Sequence, residues 1–243
     1  MKAVILCGGM GKRLRPVTIK VPKAMVPIHG KPFLERIIGT LYQCGIRQLI
    51  IVTGHLGHQI EEFLQDGDEF DVEITYVNQE CINGSASALD LASNLCKSDF
   101  LVSSCDVLLP TRHIKSLIEA HHKWKAVATL SLIPLETEQV LSMNTVALAS
   151  NNRVSAILEK PSVGCVISNV SATSMYIFSN SVFEHLRKVP RSSRNEYEIT
   201  SAISLMIGQG LPVKYVIADR WLHLSRLGDL KQIERQNSIS ALN

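Results

Sequence analysis

The chain has 243 residues, a formal net charge of +3 and 46% hydrophobic residues, enough to bury a sizeable core in one domain or in a domain with an elaboration. The mild charge is not the basic stripe of a nucleic-acid binder. No apolar run approaches the ~18 residues that span a bilayer, and one lysine before a short strand does not make a secretory signal.

Strand and helix signals alternate, which predicts a layered α/β fold with a largely parallel sheet. In chain order the strands are expected at Ala3–Cys7, Gln48–Thr53, Glu73–Val77, Phe100–Ser104, Ala126–Ile133, Val146–Ala149, Val154–Glu159, Ser174–Phe178 and Val213–Ile217. Helices are expected at Pro32–Gln43, His58–Leu64, Ser85–Leu95, Thr111–Lys123, Ser181–Arg187, Tyr197–Ile207 and Asp229–Ser240. Thr111 and Ser181 read as caps or first-turn residues, and Gly45 and Gly208 as C-terminal glycines. Neither a repeat nor a low-complexity linker is visible. The six cysteines have no close pairs, which reads as reduced thiols in a cytoplasmic protein rather than a disulfide framework or a zinc site. His55 and His58 follow a strand with no thiol or carboxylate at ligand spacing, so they read as loop and helix-start residues.

The most informative stretch is the first 32 residues. A buried-strand pattern runs into Cys7-Gly-Gly-Met-Gly-Lys-Arg-Leu-Arg-Pro16, and Val21-Pro-Lys-Ala-Met-Val-Pro27 follows. Glycines let the backbone turn tightly and present its N–H groups. Lys12, Arg13, Arg15, Lys20 and Lys23 add fixed positive charge, so a polyphosphate ligand suits this loop. It is not a P-loop: Leu6 stands where the first glycine belongs and Arg13 where the Ser or Thr belongs. It is not the dinucleotide fingerprint either, because Leu14 replaces the third glycine.

The joint pattern Gly8-Gly9-x-Gly11-x-Arg13-Leu14-x-Pro16-x-Thr18, then Pro22-Lys23-x-Met25-x-Pro27, resembles the signature of the sugar-1-phosphate nucleotidyltransferases. These join a nucleoside triphosphate to a sugar 1-phosphate and release pyrophosphate. Later motifs extend the likeness along the chain: Gln79 to Ala88, Asp106 at a strand end, Glu159-Lys160-Pro161, Ser168 to Phe178, Asn195-Glu196-Tyr197, and Arg220 to Leu230.

The resemblance implies a three-layer Rossmann-like α/β/α fold with a mixed, mostly parallel central sheet. It implies a single domain over 1–243, with residues 1–125 as the nucleotide-binding half and 126–243 as the sugar-phosphate-binding half. The C-terminal β-helix of hexapeptide repeats that many relatives carry is not expected. Arg13, Lys23, Asp106 and Lys160 are the implied catalytic set. Leu6, Gly8, Gly9, Gly11, Lys12, Gln79 and Gly84 are the implied nucleotide ligands. A Gln79 amide offers one donor and one acceptor, which complements a uracil or thymine edge and favours UTP or dTTP. Gly84 is expected to let the base pack against backbone. Asn144, Glu159, Lys160, Asn169 and Glu196 are the implied sugar-phosphate ligands.

Asp106 matches the aspartate that holds Mg2+ in the family, with Cys105 where glycine is usual. The second metal carboxylate is His223 here. It is a weak or alternative ligand that would favour Mn2+ or Co2+, a cation facing phosphate, or an inert replacement. Ser225, Asn144 and Ser174 also stand where the family carries glycine. The favoured reading is transfer of a uridylyl or thymidylyl group to a hexose 1-phosphate. The alternatives are a catalytically weak or regulatory ligand-binding paralogue and, behind it, a cytidylyltransferase acting on an alcohol phosphate. The partners are thus a triphosphate and a sugar 1-phosphate, with neither nucleic acid nor membrane. Homo-oligomers occur among relatives, and the sequence leaves that state open.

Overall fold

The computed structural model describes residues 1–235. The early elements are β1 (Lys2–Leu6), β2 (Pro27–Ile28), β3 (Lys31–Pro32), α1 (Phe33–Gln43), β4 (Gln48–Thr53), α2 (Gly57–Leu64), β5 (Glu73–Asn78) and α3 (Ser85–Asp90). Then come β6 (Phe100–Ser104), β7 (Val107–Leu108), α4 (Thr111–Trp124), β8 (Ala128–Pro134), α5 (Thr137–Leu141), β9 (Asn144–Ala149) and β10 (Arg153–Glu159). The last are β11 (Val170–Phe178), α6 (Val182–Leu186), α7 (Ile199–Gly208), β12 (Val213–Ile217), β13 (Leu222–His223) and α8 (Leu227–Arg235).

The chain folds as two compact units, each discontinuous in sequence. Among the described residues the first comprises 1–82, 102–115 and 220–235; the second comprises 83–101 and 116–219. In the first, the strands lie in the order β5-β4-β1-β6. β1 pairs parallel with β4, and β4 with β5. Ala3, Val4 and Ile5 are fully buried, because a central parallel strand is covered on both faces and so reads as an unbroken apolar run. α1 supplies the β1-to-β4 crossover and buries Phe33, Leu34, Ile37, Ile38 and Leu41 along one stripe, the i, i+3/i+4 spacing of a helix laid on a sheet. Gly45, in the left-handed region at φ 81°, ends it as the sequence suggested.

In the second unit the order is β11-β8-β12-β10-β9. β12 is parallel to β8, whereas β11–β8, β10–β12 and β10–β9 are antiparallel. Parallel pairing in one unit and mixed pairing in the other give the mixed α/β architecture that the resemblance implied.

The structure departs from the sequence expectations in a few places. α3 stops at Asp90 instead of Leu95. β11 begins at Val170 rather than Ser174, because a register shift between Ala172 and Tyr176 absorbs Ser174 at φ 62° and lets one strand continue through it. The left-handed residue after α7 is Gly210, with Gly208 still helical. α5, five residues long, is too short to show a period in the sequence. The helix expected at Asp229–Ser240 is α8, and its residues 236–240 lie outside the described residues. Among the described residues no helix is long and apolar enough to cross a membrane.

Candidate active site

In the first unit the site is built at the carboxyl end of β1, where open α/β sheets bind ligands. Cys7 N–H donates to Val52 O at 2.8 Å, and the chain then enters the glycine loop. A Cβ on Gly8 would lie 2.7 Å from Gln79 Oε1, and one on Gly54 would lie 2.8 Å from Gly8 Cα. The ends of β1 and β4 are therefore packed backbone to backbone, which demands glycine at Gly54, while the Gln79 side chain lies over Gly8. Gly11 takes φ 59°, and its carbonyl accepts from the buried Thr18 hydroxyl at 2.8 Å. Leu14, fully buried, anchors the 3-10 turn Lys12–Leu14. Lys12 and Arg13 are left on the exposed side of that turn, and Arg13 is near enough to Lys23 to oppose its charge.

Lys23, Asp106 and His223 are brought together here. Lys23 Nζ makes a hydrogen-bonded ion pair with Asp106 Oδ2, and His223 Nε2 lies 3.6 Å from the same oxygen. Ser104 Oγ donates to Asp106 Oδ1 at 2.5 Å. Burial alone would raise the Asp106 carboxyl, but Lys23 and the His223 hydrogen bond hold it well below the usual carboxylate range. Burial works to lower Lys23, but the Asp106 charge, the Cys105 thiol and the Asp106 hydrogen bond together raise it. His223 reaches this place through β13, whose Leu222 and His223 pair with Leu108 and Val107 of β7. Leu224 N–H then donates to Asp106 O at 2.9 Å. The Trp221 ring stacks on the His223 imidazole, centroids 4.7 Å apart at 22°. Cys7 and Cys105, far apart in sequence, have their thiols in hydrogen-bonding contact, and burial followed by that contact pushes Cys7 well above its ordinary value.

Among the described residues no three His, Cys, Asp or Glu side chains cluster so as to hold an ion by themselves. One carboxylate and one imidazole fit a divalent ion that completes its shell with phosphate and water oxygens, the usual way Mg2+ is held at phosphate-transfer sites. The imidazole would suit Mn2+ or Co2+ better.

The second unit carries a separate cluster. Arg194 lies 3.7 Å from Glu159 and 3.7 Å from Glu196, and is hydrogen-bonded to Glu198. Burial first, and the facing Glu198 second, push Glu159 up to about 7. Asn144 sits opposite Glu159 in the β9–β10 register. Its side chain is turned inward: Oδ1 accepts from Ala172 N–H at 2.7 Å and Nδ2 donates to Ala172 O at 3.3 Å. What Asn144 can offer a ligand is its backbone. Asn169, exposed, accepts from Thr137 Oγ1 at 3.2 Å. Lys160 takes φ 41°, and its N–H donates to Met143 O at 2.6 Å. Arg194, Glu198, Thr200, Ser104 and Trp221 were not singled out from the sequence. The clustering of opposite charges in Arg194-x-Glu196-x-Glu198 was the one signal for the first two.

Glycine loop, strand-end aspartate and paired lysine thus lie together in the first unit. The chain belongs to the nucleotidyl transferase family, whose model matches residues 2–237. It is 32% identical over 222 residues to the low-salt glycan biosynthesis nucleotidyltransferase Agl11 of Haloferax volcanii, covering 91% of this chain and 61% of that protein. It is 30% identical over 248 residues to a UTP–glucose-1-phosphate uridylyltransferase of Synechocystis, covering 97% of this chain and 63% of that one. The chain thus spans less than two thirds of these curated relatives. Among solved structures, a putative glucose-1-phosphate thymidylyltransferase from Bacillus anthracis in complex with a sucrose superposes with a TM-score of 0.86 at 26% identity, covering 97% of this chain and 94% of that one.

Proposed function

We propose that this chain transfers a uridylyl or thymidylyl group from a nucleoside triphosphate to a hexose 1-phosphate, releasing pyrophosphate. The observation that carries this reading is the Lys23–Asp106 pair with His223, held beside a glycine loop whose cations face outward. The nucleophile, a sugar-phosphate oxygen, is already anionic. It bonds to the α-phosphorus as the bond from that phosphorus to the pyrophosphate oxygen breaks, and no proton need move. What the reaction demands is positioning and charge neutralisation.

Arg13 and Lys12 neutralise the β- and γ-phosphates, and Lys23 acts as a point charge at the α-phosphate. Gln79, packed over Gly8, reads the base. In the second unit Glu159 and Glu196 accept sugar hydroxyl hydrogens, while Lys160 and Arg194 face the sugar phosphate. A divalent ion, Mg2+ or in view of His223 Mn2+ or Co2+, would be held by Asp106 and His223 and would supply further neutralisation between the two anions. The contact of His223 with Asp106 also favours a second reading, binding of these ligands without turnover.

A matrix assay decides: UTP, dTTP, GTP, CTP and ATP against a panel of sugar 1-phosphates, with Mg2+ and with Mn2+, reporting pyrophosphate. UTP or dTTP with a hexose 1-phosphate should give release well above background. Background rates throughout, together with normal triphosphate binding, would establish the second reading instead.

A further inference from the structure

Gly84 is implied by its motif to serve the nucleotide base through its backbone, and its Cβ direction carries a separate signal. It has φ 127°, and a Cβ there would lie 2.2, 2.5 and 2.8 Å from the carbonyl oxygen, nitrogen and carbonyl carbon of Tyr197. All three nearest atoms are Tyr197 backbone, so the space a side chain would need is filled by this chain itself. The surrounding hydrogen bonds agree. Tyr197 N–H donates to Asn83 O at 2.8 Å, Ala86 N–H to Tyr197 O at 2.9 Å, and Ile199 N–H to Ser85 Oγ at 3.1 Å. Residues 83–86 and 197–199 thus form a short ladder within the second unit, with the glycine at the crossing. Tyr197 stands between Glu196 and Glu198, two of the carboxylates around Arg194. The loop is also held by its own turn, Ser192 N–H donating to Glu196 O at 2.9 Å, and at Glu198 by the start of α7, Ser201 N–H donating to Glu198 O at 3.1 Å.

We infer that Gly84 is a positioning residue for the sugar 1-phosphate: its missing side chain seats the Tyr197 backbone, which holds Glu196, Glu198 and Arg194 in place. This rests on the transferase reading for the identity of the substrate. A displacement of even ~1 Å in a positioning group is enough to cost on the order of 100-fold.

The test is steady-state kinetics of Gly84→Ala and Ser85→Ala in the full chain, with UTP and glucose 1-phosphate varied separately and thermal melts confirming folding. Calorimetric titration of each ligand runs in parallel. Ser85→Ala removes one rung and should raise the KM for glucose 1-phosphate about tenfold, with the KM for UTP held within about twofold. Gly84→Ala should move the same constant further. If Gly84→Ala does not fold, Ser85→Ala decides alone. A rise confined to UTP, an equal rise for both substrates, or no change in a folded variant overturns the inference and leaves the transferase reading standing. Failure of the unsubstituted chain to bind or turn over any triphosphate and sugar 1-phosphate of the matrix overturns the transferase reading, and this assignment with it; where another pair is active, the same kinetics are read on that pair.

Discussion

The Glu159 carboxyl makes an unusual prediction about stability. Its pKa is raised in the folded protein from an ordinary 4.5 to about 7, by burial and then by Glu198. A carboxyl shifted upward binds its proton more tightly when folded. Stability from this group is therefore complete below about pH 4.5, falls as pH rises, and is lost above about pH 7. At about 1.4 kcal/mol per unit, the shift corresponds to a penalty of about 3 kcal/mol at alkaline pH, an upper figure for a side chain 22% exposed. Glu159→Gln removes the ionisation, while Arg194 retains Glu196 and Glu198. Urea unfolding at pH 4, 7 and 8.5 should show the variant about level with the parent at pH 4 and increasingly more stable above it. A stability difference that does not change across those three pH values would refute the reasoning.

The Lys23–Asp106 pair should behave as a buried ion pair. Lys23→Met is expected to cost about 3 kcal/mol in urea unfolding and at least about 100-fold in pyrophosphate release, while Lys23→Met combined with Asp106→Asn should recover stability but not turnover. Equal stability of the single and double variants would count against it. His223→Asp places a second carboxylate where the imidazole nitrogen now lies 3.6 Å from Asp106 Oδ2. In chelator its Tm should drop by at least about 2–4 °C and recover with Mg2+, more than Mg2+ shifts the unsubstituted chain; equal shifts would argue against a shared cation. Ser174→Gly should stabilise by about 1 kcal/mol, because the left-handed conformation at φ 62° is strained for serine and free for glycine. A lowered melting temperature would contradict that.

Much of the fold was legible because its determinants are local. β4, β6 and β12 fall on their expected bounds, since short runs rich in apolar and β-branched residues between turn residues have few alternatives. The glycine loop was legible as a pattern too, because its glycines and cations are neighbours in the chain. β13 was not, because Leu222 and His223 form a strand solely by pairing with Leu108 and Val107, more than a hundred residues earlier. The bulge at Ser174 was hidden for a related reason: a period-2 reading breaks where a strand gains an extra residue.

Order along the chain therefore announced a polyphosphate loop, a strand-end acid and a later acid–lysine pair, because spacing and side-chain chemistry are properties of the chain alone. Which of those groups meet was decided by tertiary structure. The return of residues 220–223 to the first unit brings an imidazole to Asp106. The seating of Tyr197 on Gly84 orients the loop with Glu196, and an inward turn spends the Asn144 amide on β11. Each depends on sheet order and backbone approach between distant segments, and a linear pattern carries no record of either.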